Sequence, residues 1–226
     1  LKFIYLHGFA SSPESMKAVY LRDRFTALNL TLQVPDLNQG DFSHLTISRQ
    51  IAYIQSLFPA DGTPVTLIGS SLGGLTSAWI AETALPYSEV PSEYQRTQKH
   101  NQVQRLVLLA PAFGFLQHWL PQLSEEQLKQ WQASGYLPIH HYGEGRSLSL
   151  HYQFVEDARQ YQETQLQRTL PTLILHGQHD EVIPITASRA YATTRPWVQL
   201  IELDSNHALT DVMPQIWQAT REFCQL

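Results

Sequence analysis

Residues 64–75 read Pro64-Val-Thr-Leu-Ile-Gly69-Ser70-Ser71-Leu72-Gly73-Gly74-Leu75. An apolar β-branched run predicts a strand, Gly-x-Ser-x-Gly predicts a sharp turn, and the residues beyond it predict a helix. That is the setting of a nucleophile elbow, in which the middle serine sits strained at the apex with its hydroxyl aimed off the end of a sheet. Gly69 and Gly73 flank it because a Cβ at either place would meet neighbouring backbone. The register selects Ser71 and passes over Ser70. The helix that follows turns its N-terminal N–H groups, beginning with Leu72, toward negative charge developing beside Ser71.

Outward from this turn, short apolar runs alternate with helical patterns: Lys2–Leu6, Leu30–Pro35, Val65–Ile68, Val103–Leu109, Thr172–Leu175 and Val198–Leu203. Near-continuous apolar strands alternating with helices predict an α/β fold with a mostly parallel sheet of about six strands, covered on both faces. Ser12, Pro13 and Glu14 predict the start of a first helix, with Ala18, Leu21, Phe25 and Leu28 as its apolar stripe. Ile47, Ile51, Ile54 and Phe58 mark a second helix that stops before Pro59. The elbow helix is expected from Gly74 to Leu85, ending at Pro86, and the polar stretch 86–102 reads as a surface excursion. Residues 112–169 are too long for a simple crossover and rich in aromatics. They are expected to form a helical cap, with one helix at Glu125–Ala133, inserted into a single domain of residues 1–226.

Composition narrows the function. A chain of 226 residues with 43% hydrophobic and 15% charged residues can bury a full core. A net charge of −5, with Lys and Arg scattered singly, argues against nucleic acid or an anionic membrane surface as partner. No apolar run reaches the ~18–20 residues of a membrane span. The single cysteine, Cys224, can form no internal disulfide, so a reducing, cytoplasmic location is expected. No signal peptide is expected, because the chain enters a strand at once, and the missing initiating Met implies residues before Leu1.

A serine hydroxyl needs a general base, and the base needs an orienting carboxylate. Both are expected on loops after later strands. His176-Gly-Gln-His179-Asp180-Glu181-Val-Ile-Pro184 follows one strand, and Asp204-Ser-Asn206-His207 follows the next. This order makes Asp180 the orienter and His207 the base, with Asp204 the chief rival acid and Glu181 and Asp211 lesser ones. The turn Tyr5-Leu-His7-Gly8-Phe9-Ala10 supplies a second oxyanion donor, the Phe9 amide, opposite that of Leu72. His7 is expected to brace this turn through backbone hydrogen bonds. His176, His179 and Asp180 offer a poorer metal site, because their spacing falls on a strand-to-loop turn. His140 and His141 read as solvated surface residues. Phe9, Phe113, Phe115 and Trp119 are candidates for lining an acyl pocket.

These motifs carry a resemblance. With Tyr5–Pro13, Gly69–Gly74, Gly177–Pro184 and Asn206-His207, the chain resembles an α/β-hydrolase, and more closely the small bacterial YqiA-type esterases. The likeness spans Leu1 to about Ala112 and Pro171 to the C-terminus, and it is weakest over the cap. It implies serine esterase or thioesterase activity on small acyl substrates, no metal and no organic cofactor, and Ser71, Asp180 and His207 as a catalytic triad. It also implies a minimal member, beginning at the strand before the oxyanion turn. Other triad chemistries, such as C–C hydrolysis or perhydrolysis, and a slow hydrolase-like binding or signalling protein remain as rival readings. Basic residues are scarce near the motifs, so short or medium uncharged acyl groups are the expected substrates.

Overall fold

The computed structural model describes residues 1–83 and 102–226. In chain order it runs β1 (Lys2–Leu6), α1 (Met16–Ala27), β2 (Leu32–Gln33), α2 (Ile47–Ser56), β3 (Val65–Ser70), α3 (Leu72–Glu82) and β4 (Val103–Leu109). An insertion follows, comprising α4 (Phe115–Trp119), α5 (Glu125–Ser134), β5 (Tyr136–His141), β6 (Arg146–His151) and α6 (Gln153–Ala158). The chain then closes with β7 (Thr172–Gly177), α7 (Ile185–Thr193), β8 (Val198–Leu203) and α8 (Met213–Cys224). Six strands form one parallel sheet in the order β2-β1-β3-β4-β7-β8. This is the α/β-hydrolase architecture, and every loop leaving a strand emerges at the same edge.

Strand alternation builds the two faces. Phe3 and Tyr5 of β1 join Ile68, Val107, Leu109, Leu173 and Leu175 against Ala18, Leu21 and Phe25 of α1 and Ile216 of α8. Ile4 and Leu6 point the other way, with Leu67 and Leu108, toward α2, α3 and the insertion. Burying each such side chain stabilises the fold by about 1.5–3 kcal/mol, so both helical layers are anchored to the sheet.

Several local expectations need correction. α1 starts at Met16, after an N-cap at Ser15, and not at Pro13. The Ser12 hydroxyl accepts from the amide of Glu14 (3.3 Å), which makes a short turn before the helix. Leu28 of the expected stripe falls at the C-cap and is exposed. β2 shrinks from Leu30–Pro35 to Leu32–Gln33, as suits an edge strand whose Pro35 has no N–H to give. The end of the elbow helix at Leu85 and Pro86, and most of the 86–102 excursion, lie outside the described residues.

The insertion is not all helical. β5 and β6 pair antiparallel, with Leu137 opposite Leu150 and Ile139 opposite Leu148. Apolar residues two apart on each strand pack one face of this hairpin, and Gly145 (φ +63°) lies in its turn. The expected helix is present as α5, closed at its start by a Ser124–Gln127 capping box and at its end by left-handed Gly135. His141 is buried, against expectation. Its ring meets Phe42 edge-on at 4.9 Å, and its Nδ1 accepts from the amide of Glu144 (3.1 Å). This hairpin tip docks on the turn after β1, where the Tyr142 amide donates to the Ala10 carbonyl at 2.8 Å.

Candidate active site

Ser71 links β3 to α3 with φ 53° and ψ −120°, a backbone state rarely adopted by a residue with a side chain. Its carbonyl accepts from the amides of Gly74, Leu75 and Ala112, and its own amide donates to Leu109 of the neighbouring strand. The flanking glycines are needed because the backbones touch. A Cβ on Gly69 would stand 2.3 Å from the Gly73 carbonyl oxygen, and one on Gly73 would stand 2.3 Å from that of Leu6. Gly8 lies against the serine itself, its Cβ position being 3.4 Å from Ser71 Cβ. The turn after β1 and the turn after β3 are thus one packed unit.

The loops after β7 and β8 also press together. A Cβ on Gly177 would fall 2.4 Å from the Ser205 carbonyl oxygen and 2.5 Å from that of Asn206. The amides of Gln178 and His179 donate to Leu203 and Ser205 across the same seam. This contact carries the imidazole of His207 to the serine. His207 Nε2 is 3.0 Å from Ser71 Oγ, and His207 Nδ1 is 2.7 Å from Asp180 Oδ2. A carboxylate can only accept, so Nδ1 carries a hydrogen, and in the neutral ring Nε2 is free to accept from the hydroxyl.

Asp180 is fully enclosed and its acceptor sites are met. Its Oδ1 accepts from the amides of Val182 (2.9 Å) and Ile183 (2.8 Å). Burial alone pushes this carboxyl up. The imidazoles of His176 and His207 and the Ile183 amide override that and hold it well below the usual carboxylate range. The sequence thus brings together Ser71, His207 and Asp180 from loops 136 and 27 residues apart. Such a chain lets a hydroxyl lose its proton to a ring of fixed tautomer.

The rival acids face elsewhere. Asp204 pairs with exposed His179 at 2.9 Å, and Asp211 accepts from the Ser205 hydroxyl. His176 turns inward while His179 turns outward, so the two rings share no ligand-like focus. His7 braces the first turn, where its Nε2 accepts from the Leu37 amide (3.0 Å) and its Nδ1 donates to the Gly8 carbonyl (3.0 Å). Phe9 follows Gly8, and Leu72 opens α3, where an amide has no intrahelical acceptor.

The aromatic candidates divide. Phe115 and Trp119 pack around Phe9 at centroid distances of 5.7 and 5.3 Å, with Phe154 at 5.4 Å. Phe113 instead stacks on Tyr191 at 4.3 Å. It borders a cavity of about 680 Å³ whose wall includes Glu163, Tyr191 and Arg195 but none of Ser71, His207 or Asp180.

Two contacts escaped the sequence reading. Lys17 of α1 donates to the Ala208 carbonyl at 2.5 Å, bracing the loop that carries His207. Burial lowers its ammonium to about 8, opposed by the nearby charge of Asp180. The other is His176, whose Nε2 lies 3.0 Å from Asp180 Oδ2. Its only signal was a spacing of four residues across a loop, which reads equally well as a metal pair.

The sequence profile of the Uncharacterised protein family (UPF0227) matches residues 2–88 and 93–224. No curated protein matches the chain. Among solved structures, a protein of Agrobacterium vitis S4 is similar at TM-score 0.81 and 22% identity, over 98% of this chain and 87% of that one. Mouse alpha/beta hydrolase domain-containing protein 10 is similar at TM-score 0.74 and 21% identity, over 99% and 90% of the two chains. Est1E from Butyrivibrio proteoclasticus, with ferulic acid bound, gives TM-score 0.74 and 20% identity over 99% and 89%.

Proposed function

The chain belongs to the Uncharacterised protein family (UPF0227) and has the α/β-hydrolase fold, and from that premise we propose that it is a serine hydrolase of small carboxylic esters or thioesters. The observation that carries this is the continuous chain Ser71 Oγ–His207–Asp180, at 3.0 and 2.7 Å. In the first half-reaction Ser71 Oγ attacks the acyl carbon as His207 Nε2 takes the hydroxyl proton. The amides of Phe9 and Leu72 bind the oxyanion. Collapse breaks the bond to the alcohol or thiol, which leaves with the proton from His207. Water then enters, and its oxygen bonds to the acyl carbon as His207 Nε2 takes a proton; the bond to Ser71 Oγ breaks, the proton passes to Oγ and the acid leaves. Asp180 stays ionised throughout and holds the ring tautomer.

The oxyanion assignment is supported by Gly8 lying against Ser71 and by Leu72 standing at the first helical position. One such donor is worth about 10²–10³ in rate. Phe9, Phe115 and Trp119 favour an uncharged acyl group of modest size, and Phe113 is the weaker candidate because it stacks away on Tyr191. The ferulic acid bound to Est1E belongs to the product class such a reaction releases. The reading takes residues 1–226 as one domain with its cap at 112–169, working in the cytoplasm, where the lone buried Cys224 would stay reduced. Among the described residues no helix is long and apolar enough to cross a membrane.

A fluorophosphonate probe tests the reading directly. It should label the wild type covalently and leave Ser71→Ala unlabelled. Equal labelling of the two proteins, or none of either, overturns it.

A further inference from the structure

A triad needs only Ser71, His207 and Asp180, yet a second imidazole stands against the acid. His176 ends β7 and is wholly buried. Its Nε2 is 3.0 Å from the Ile183 carbonyl and 3.0 Å from Asp180 Oδ2, the same oxygen that takes the His207 hydrogen at 2.7 Å. A carbonyl oxygen only accepts, so Nε2 carries a hydrogen whatever the charge of the ring. That hydrogen is held by the Ile183 carbonyl, and the same polarised nitrogen stands 3.0 Å from the carboxylate. Its other nitrogen, Nδ1, is 2.7 Å from the Ser188 hydroxyl on α7, which fixes the ring plane. The arrangement also closes on itself. The Ile183 carbonyl holds His176, and the Ile183 amide holds Asp180 Oδ1 at 2.8 Å.

Resting on the serine-hydrolase reading above, we propose that His176 is a positioning residue: a fourth side chain that holds the Asp180 carboxylate in place and draws part of its charge away from His207. Asp180 keeps its charge in an enclosed site through His207 Nδ1–H and the amides of Val182 and Ile183, and His176 Nε2 adds a polarised nitrogen 3.0 Å from Oδ2. The remaining charged groups near the pair are accounted for on each packed element. Lys17 on α1 is bonded to Ala208. Glu202 on β8 is paired with Arg189 on α7, and Asp204 with His179. None of these touches Asp180 Oδ2.

The sign of the effect follows. Without the His176 N–H, more of the carboxylate charge falls on His207 Nδ1–H and stabilises the imidazolium. The pH profile of inactivation then moves up, and a less firmly held acid slows the reaction. The test is the pH dependence of fluorophosphonate inactivation in the wild type, His176→Leu, His176→Gln and Ser188→Ala, with thermal melts of each. Gln can place an N–H near the Nε2 position, whereas Leu cannot. His176→Leu should lose about tenfold in the plateau rate through misplacement of the base. Its profile should move up by roughly half a pH unit, the acid's charge now resting on one partner. His176→Gln should recover most of both changes. Ser188→Ala keeps the ring and should give a smaller change of the same sign, so the idea stays testable even if Leu at 176 prevents folding.

A folded His176→Leu with the wild-type rate and profile overturns the proposal. So does a Gln variant no better than Leu, or a Ser188→Ala profile that does not move. Those outcomes leave the hydrolase reading standing, since it fails only when the wild type itself does not label at Ser71.

Discussion

Asp180→Asn changes one atom, and the structure dictates how the new side chain must sit. Asp180 Oδ1 accepts from two backbone amides, at 2.9 and 2.8 Å. An asparagine NH₂ in that place would face two donors and strand both, at about 1–3 kcal/mol for each unmet buried group. The amide oxygen therefore takes the Oδ1 position, and the NH₂ takes that of Oδ2, 2.7 Å from His207 Nδ1 and 3.0 Å from His176 Nε2, whose own hydrogen stays on the Ile183 carbonyl. Nδ1 must now accept. The ring hydrogen moves to Nε2, which faces Ser71 Oγ at 3.0 Å as a donor and cannot take its proton. A tautomer swap of this kind costs about 10⁴ in turnover in a well-studied serine protease. At ~1.36 kcal/mol per decade that is roughly 5.5 kcal/mol of lost transition-state stabilisation.

The assay is p-nitrophenyl acetate hydrolysis with the active-site concentration set by fluorophosphonate titration of the wild type, alongside urea denaturation. Asp180→Asn should fold and turn over about 10⁴-fold more slowly. Had the side chain settled the other way round, activity would survive but two amides would go unmet, and stability would fall by roughly 2–6 kcal/mol. A variant that keeps its rate within tenfold and also keeps its stability refutes the reasoning outright.

Three further substitutions probe the frame around the site. Gly73→Ala would place a Cβ 2.3 Å from the Leu6 carbonyl oxygen and 2.4 Å from that of His7, both main-chain atoms that cannot yield locally. It should cost about 3–5 kcal/mol in urea denaturation, and a loss below ~1 kcal/mol would show that the two turns are not in contact. Lys17→Met removes the donor to Ala208 and should lower kcat/KM by about tenfold. Because the Lys17 ammonium is lowered to about 8, wild-type kcat/KM should decline above that pH as the charge is lost, while Lys17→Met shows no such decline. Trp119→Ala opens space 5.3 Å from the Phe9 ring and should shift the preferred p-nitrophenyl ester toward longer acyl chains. An unchanged chain-length profile removes Trp119 from the acyl pocket.

What was legible in the sequence is what leaves a local mark. Val65–Ser70 could be read as a buried strand because every residue in it is buried, which forces a continuous apolar run. Gly69 and Gly73 could be read because each stands where a Cβ would overlap main-chain oxygen. The insertion was harder to read. Its hairpin alternates Leu137 and Ile139 with Pro138 and His140, a weak period-two signal broken by residues that disfavour strands, and its burial depends on docking against the turn after β1. His141 looked solvated because nothing nearby in the sequence announces Phe42 as its partner. His176 was visible as a residue but not as a contact, because its partner Asp180 lies across a loop whose shape is set by the Val182 and Ile183 amides.

Strain at the site follows the same division. Besides Ser71 (φ 53°), positive φ is held at Ala10 (49°), Ala110 (44°) and Leu209 (55°), in the loops that leave β1, β4 and β8. Each such residue costs on the order of 1–3 kcal/mol, so each needs a contact that pins it. Only Ser71 is advertised by flanking glycines. The others are held from a distance: the Ala10 carbonyl by the Tyr142 amide at the tip of the β5–β6 hairpin, and the Ala110 amide by the Leu175 carbonyl on the neighbouring strand. Leu209 donates to Asn206 at 3.3 Å within a loop that Lys17 braces from α1. The strained loops are thus supported by strands, hairpin and helix that close only when the whole sheet has formed. The serine, the ring and the carboxylate can meet at 3.0 and 2.7 Å only in the finished fold, and a perturbation at the hairpin's contact with Ala10 should be felt at the serine before it is felt in the core.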